Sequence, residues 1–336
     1  MKRSLKRSKS LNKRSNKRSR SRSDKISDLS KYQSPYKHID LWYGPKQKNT
    51  VAEPHKRIFK TRETGRTGNQ LFEYVFWTLM TLEHGGIFEN TYTNLPRPFD
   101  KLPKTFQIKK NETQDLGLKN YHELIPGYPM SFKYYANKRH LLQQLLNMET
   151  FTKKYDIVIH VRLDDVFGSI IDHPELKDYT VLPFSFYENV FKVIKKVHGP
   201  TKSLKILLLG RTVDSFQKKI LEDLTDYIKK VSGSKNVLYK SGSVTEDLID
   251  IMSSPILVGS TSSFWTIPTF LSNISEEIHI PVFGQTNMYH YFDFDSVVYK
   301  NYVRRYSERD NYTIYGYLLP FTEKIQKETI ELMYDR

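Results

Sequence analysis

The sequence predicts an α/β protein, a Rossmann-like twisted parallel sheet preceded by a disordered basic tail. Three observations carry that expectation. Short β-rich runs alternate with amphipathic runs between Asp156 and Phe283, the pattern of successive β-α units. With 336 residues and an apolar fraction of 38%, the chain can build a sizeable core. Charge gathers at one end: residues 1–25 hold twelve Lys or Arg against one Asp, so +11 of the net +16 lies there and the rest carries +5.

Residues 1–50 open with Lys/Arg/Ser repetition such as Arg18-Ser-Arg-Ser-Arg-Ser23 and stay mostly polar through Lys48. Too few apolar side chains are present to offset the entropy of ordering, so disorder is expected. The tail reads as a solvated leader or localisation patch, or as an arm that meets nucleic acid or acidic surfaces. No aromatic residue interleaves the basic ones before Tyr32, which weakens a base-stacking role.

From Asn69 to His84 the residues Leu71, Phe72, Val75, Phe76, Leu79, Met80 and Leu82 recur at helical spacing behind a Gly-rich loop. A second helix is expected over Arg139–Phe151. Between them Pro96, Pro98, Pro103, Pro126 and Pro129 break residues 88–135 into loops with short elements. Strands are expected at Asp156–Val161, Leu204–Leu209, Asn236–Tyr239, Ile256–Val258 and Ile278–Phe283. Helices are expected at Pro183–Val197, Val213–Val231, Thr245–Ser253 and Phe264–Leu271, with a closing helix over Phe321–Tyr334. In such sheets ligands bind outside the carboxyl ends of the strands, which directs attention to the loops after Val161, Leu209 and Val258.

The chain has no Cys, which excludes disulfides, thiolate metal sites and a cysteine nucleophile. No run of about 18 apolar residues suggests a spanning helix, and no apolar segment follows the basic N-terminus as in a signal peptide. A soluble, cytoplasmic protein is the expectation. The sequons at Asn111, Asn273 and Asn311 are within chance and say nothing of secretion.

Three constellations fall at the expected loops. Gly65-Arg-Thr-Gly-Asn-Gln-Leu-Phe72 precedes the long helix, where glycines allow close backbone approach and free N–H groups suit an anion; alone, it reads first as a tight turn. His160-Val-Arg-Leu-Asp-Asp165 ends a strand, with His160 and Arg162 on one face. The planar fork of Arg162 suits a diphosphate, although a surface Arg162–Asp165 ion pair would explain the same residues. Gly259-Ser-Thr-Ser-Ser-Phe-Trp265 links a strand to a helix, as a phosphate-binding loop or an ordinary Ser/Thr cap with aromatic core residues.

In order and spacing, the three together resemble the signature of glycosyltransferase family 11, the α1,2-fucosyltransferases, and more distantly GDP-fucose protein O-fucosyltransferases. Gly65–Phe72 with Glu73-Tyr74 resembles the family's Gly-[Arg/Gly]-Leu-Gly-Asn-Gln-[Leu/Met]-Phe-Gln-Tyr, with Thr67 and Glu73 departing. His160, Arg162 and Asp165 match its His-x-Arg-Arg-x-Asp. Glu246-Asp-Leu, Met252-Ser253 and Ser262-Ser-Phe-Trp265 resemble its Asp-Leu…Met-Ser…Ser-Ser-Phe-Ser-Trp-Trp region. The likeness spans about residues 57–285. Two departures stand out: the second family Arg is Leu163, and the paired Trp is reduced to Trp265.

The resemblance implies a GT-B-like fold with two Rossmann-like α/β domains facing a cleft. Residues 51–150 would form the acceptor half, 151–285 the donor half, and 286–336 a C-terminal segment with the closing helix. It implies GDP-fucose as donor, a glycan hydroxyl as acceptor, inversion, no cofactor and no obligatory metal. Catalysis would fall to Arg162, Asp165 and His160, and donor binding to Gly65, Arg66, Gly68, Asn69, Arg162, Asp247, Ser262, Ser263 and Phe264. A metal-dependent alternative would use Asp293-Phe-Asp295. The competing function is an RNA- or chromatin-associated protein acting through its tail on a degenerate enzyme body.

Overall fold

The computed structural model describes residues 58–61, 66–92, 94–114, 138–163, 181–282, 303–308 and 312–318. All of them belong to the unit Asn49–Arg336. The basic tail and the closing helix expected at Phe321–Tyr334 lie outside the described residues.

The protein is α/β, built on six parallel strands. They are β4 (Ile157–Val161), β5 (Ile206–Gly210), β6 (Val237–Lys240), β7 (Ile256–Val258), β8 (Glu277–Val282) and β10 (Tyr312–Leu318), with β9 (Val303–Glu308) antiparallel on β10. Across the sheet the order is β6-β5-β4-β7-β8-β10-β9. The chain therefore steps outward from β4 to β5 and β6, returns to the other side of β4 as β7, and continues to β8. That reversal between β4 and β7 is a topological switch point, where the loops on either side diverge and leave a crevice at the carboxyl edge.

Helices follow β4, β5, β6 and β7. α3 (Phe184–His198) and α4 (Ser215–Ser232) occupy one face, α5 (Val244–Met252) and α6 (Thr266–Leu271) the other. The faces are set by the strand period of two. Ile157, Ile159 and Val161 point toward Phe186, Val190, Phe191 and Leu221, while Val158 points toward Leu248, Ile251 and Phe270. α4 starts where the Asp214 carboxylate accepts from the Gln217 N–H at 2.7 Å, and ends at Gly233 with a left-handed φ of 74°. α5 opens on a capping box between Ser243 and Glu246.

The N-terminal part contributes the long helix α1 (Thr67–His84) and a three-stranded sheet. In it β1 (Ile58–Lys60) is parallel to β2 (Gly86–Glu89), which is antiparallel to β3 (Thr105–Ile108). The apolar stripe of α1 shares one core with β5, β7 and β8 through Leu71, Phe72, Val75, Phe76, Leu79 and Met80. α2 (Arg139–Leu145) stops six residues short of the expected Phe151, because Asn147 takes a positive φ of 47°, which a helix cannot continue through.

Candidate active site

β4 delivers His160 and Arg162 to the carboxyl edge at the switch point. The loop after β7, residues 259–265, comes alongside from the neighbouring strand. His160 Nδ1 and Ser260 Oγ lie 2.7 Å apart, and Arg162 donates through Nη1 to the Thr261 carbonyl at 2.9 Å. Phe264 covers the imidazole, with ring centres 5.5 Å apart. Inside the loop Trp265 is fully buried and donates from Nε1 to the Ser260 carbonyl at 3.0 Å. Only a glycine fits at 259, since a Cβ there would stand 2.5 Å from the Trp265 ring.

The N-terminus of α1 closes on the same loop. Ser263 Oγ donates to Asn69 Oδ1 at 2.6 Å. A Cβ on Gly68 would come within 2.6 Å of the Phe264 backbone nitrogen and 2.7 Å of the Ser263 carbonyl carbon, so helix and loop meet backbone to backbone. Arg66 is the N-cap, offers no side-chain cap, and the first turn holds no acidic residue. This end of an 18-residue helix presents the positive end of its dipole and, among the described residues, N–H groups with no side-chain cap from Arg66.

Segments 66–69, 160–162 and 259–264, far apart in sequence, thus converge on one edge. Gly68, Asn69, His160, Arg162, Ser263 and Phe264 are joined by direct contacts or through the loop. Ser262 is buried, and its Oγ accepts from the Phe264 N–H at 3.2 Å. Gly65 and Asp165 lie outside the described residues, as do Asp293 and Asp295.

Electrostatics sort these side chains into roles. His160 keeps part of its surface accessible, yet burial first, and the Arg162 charge second, push its pKa down to about 3. It is therefore a neutral imidazole fixed on Ser260 at physiological pH. Asp247, in the first turn of α5 and only 9% exposed, is displaced the other way. Burial raises its pKa to about 6, helped by Asp250 and Glu246 and opposed by Lys240 and the Gly242 amide. Its Oδ1 has no hydrogen-bond partner among the described residues, whereas neighbouring Asp250 is neutralised by Lys240 at 2.9 Å and Lys154 at 3.4 Å.

Leu163, where the resembled motif carries a second Arg, is fully buried in the core beneath the edge. Just past the end of β4, that position is given to packing. Glu73, the other departure, is buried and accepts from the Tyr92 hydroxyl at 2.9 Å. Sequence reasoning missed Ser260 and Thr261, which fasten His160 and Arg162; only their place in a run of small polar residues hinted at it. Asn273, a sequon asparagine, holds the Phe151 backbone through both amide atoms, at 2.8 and 3.1 Å. Comparison of the chain with protein-family models, curated proteins and solved structures finds no match.

Proposed function

We propose that this protein is a GDP-fucose-dependent fucosyltransferase of the α1,2 type, inverting and metal-independent, acting on a glycan hydroxyl. The observation that carries this reading is the meeting of all three motif segments at the switch point between β4 and β7. A nucleoside diphosphate-sugar bound there would place its diphosphate between the Arg162 guanidinium and the uncapped N–H groups of α1. As the fucosyl–oxygen bond breaks, charge grows on the leaving diphosphate, and donors already aimed at it lower the barrier. Asp247 offers an acceptor lone pair where the adjacent N–H groups of a guanine edge need one. His160, with such low basicity, positions the loop through Ser260, and the proton acceptor for the sugar hydroxyl is assigned to Asp165. The GT-B arrangement belongs to this reading, with α1 and the three-stranded sheet on the acceptor side.

The burial of Leu163 supports a second reading. One charge-assisted contact to the diphosphate is gone, worth about 1.5–3 kcal/mol, which suits slow turnover, a protein side chain as acceptor, or an inactive body whose basic tail carries the function. Calorimetry of the full-length chain with GDP-fucose, GDP-mannose and UDP-galactose separates these. Selective GDP-fucose binding supports the transferase, and equal indifference to all three removes it.

A further inference from the structure

A second charged surface lies on the opposite edge of the sheet. Because helices of β-α units run antiparallel to their strands, α3 and α4 end at the amino edge, and their ends are stitched together there. Lys195 Nζ donates to the Val231 carbonyl at 2.6 Å, Ser234 Oγ to the Leu204 carbonyl at 2.6 Å, and the Thr201 hydroxyl to the Ser232 carbonyl. The stem of Lys202 lies against Gly233. Lysines from both sides of this seam therefore share one face.

The acids nearby are already used. Glu188 pairs with Lys192 at 2.7 Å and Asp226 with Lys229 at 2.8 Å. Lys196, Lys202, Lys230 and Lys235 are exposed and form no ion pair among the described residues. Helix dipoles account for the lysines in the last turns of α3 and α4, but Lys202 and Lys235 lie beyond both helices. Between the helices is a hollow of about 410 Å³ lined by Glu188, Lys192, Lys195, Tyr227, Lys230 and Val231. Tyr227 is held by stacking on Phe184 with ring centres 4.5 Å apart.

We propose that this lysine-rich face binds single-stranded nucleic acid, with phosphates on Lys196, Lys202, Lys230 and Lys235 and a base against Tyr227. Lys230 lines the hollow beside Tyr227, and Lys196, Lys202 and Lys235 continue the charge along the same helix ends; this matches a strand that carries regularly spaced phosphates and π-faces, whereas a bilayer presents a flat surface. The site does not depend on the donor edge. The N-terminal tail, with twelve Lys or Arg in 25 residues, would add its own phosphate contacts, so the test must isolate the body's share.

The test is fluorescence anisotropy of the full-length chain with a labelled oligouridylate across a salt series, comparing the parent with a K196Q/K202Q/K230Q/K235Q variant and with Tyr227→Leu. Four lost phosphate contacts should lower the slope of log K against log salt by about 2.8 and weaken binding roughly a hundredfold near 0.1 M salt. Tyr227→Leu should weaken binding about tenfold with the slope kept. Thermal unfolding and GDP-fucose binding should stay at parental values in the lysine variant, which separates this face from both misfolding and the donor site. Identical affinity and slope in parent and lysine variant would overturn the proposal. So would a lysine variant that loses binding only to phosphatidylserine vesicles, which would make the face a membrane contact.

Discussion

Replacing Gly68 with Ala tests how tightly α1 and the 259–265 loop are joined. The new Cβ would sit 2.6–2.7 Å from Phe264 N, Phe264 Cα and Ser263 C, all backbone atoms that cannot rotate aside. Helix or loop must retreat, and overpacking of this kind costs about 1–3 kcal/mol. The retreat also stretches the 2.6 Å bond from Ser263 to Asn69, worth about 0.5–1.5 kcal/mol. Against this, Ala gains at most about 1 kcal/mol of helix propensity over Gly. The net expectation is a loss of about 1–3 kcal/mol, read by urea unfolding, with a reduced GDP-fucose affinity expected under the proposed function because the start of α1 and the 259–265 loop separate. Gly233→Ala provides the control. Its φ of +74° makes it costly by roughly 1–2 kcal/mol, yet it lies at the other edge and should leave donor affinity unchanged. A Gly68→Ala variant more stable than the parent, with parental donor affinity, would refute the backbone-to-backbone contact and the site built on it.

Other consequences are accessible to the same assays. Arg162→Lys should fail in donor turnover nearly as badly as Arg162→Ala, because an ammonium cannot reproduce a bidentate fork; normal turnover in the Lys variant would remove that role. Asp247 holds its proton more tightly folded than unfolded, with a pKa of about 6 against 3.8. Its contribution is thus fully present below pH 3.8 and lost as pH rises through 6, a swing on the order of 3 kcal/mol. Asp247→Asn should flatten that part of the stability profile and stabilise the free protein at neutral pH while weakening donor binding; an unchanged profile would contradict its burial. His160 has the opposite sign: its pKa falls from 6.5 to about 3, so its contribution is present above pH 6.5 and declines as pH falls toward 3, and His160→Asn should remove that decline. Asp214→Ala, which deletes the α4 cap, should cost about 0.5–2 kcal/mol in urea unfolding and leave donor binding alone.

The second half of the chain was legible because its central strands β4, β5 and β7 are buried on both faces and its helices are not. Ile206-Leu-Leu-Leu-Gly210 is buried throughout, so it reads as an apolar run, while α3 and α4 read as amphipathic periods broken by Gly199 and Gly233. Parallel β-α units leave that signature whatever their tertiary partners. In the three-stranded sheet, β3 lies within residues 88–135, read as loops with short elements, since it alternates between exposed and half-buried positions and its flanking prolines dominate the local signal; β1 and β2 were not expected as strands. The expected helix start at Phe264 is also displaced: Trp265 turns inward under Gly259, and α6 begins at Thr266.

Within the site, Arg162 and His160 were legible from strand alternation, which puts them at the same strand end. What fastens them was not, because Ser260 and Thr261 act from the loop after β7, brought beside β4 by the sheet order from about a hundred residues away in sequence. Asn69, expected among the donor-binding residues, is held by Ser263 across 194 residues of sequence, a pairing that the sequence pattern does not announce. The burial that unsettles Asp247 has no sequence signal, since the same Glu-Asp pair at a helix start is ordinarily solvated.

The most direct test of the central claim is release of GDP from GDP-fucose by the full-length chain in EDTA, set beside GDP-mannose and UDP-galactose and repeated with Arg162→Ala. The account predicts slow release from GDP-fucose alone, abolished in the variant. No release from any of the three, or equal release with and without Arg162, would contradict it.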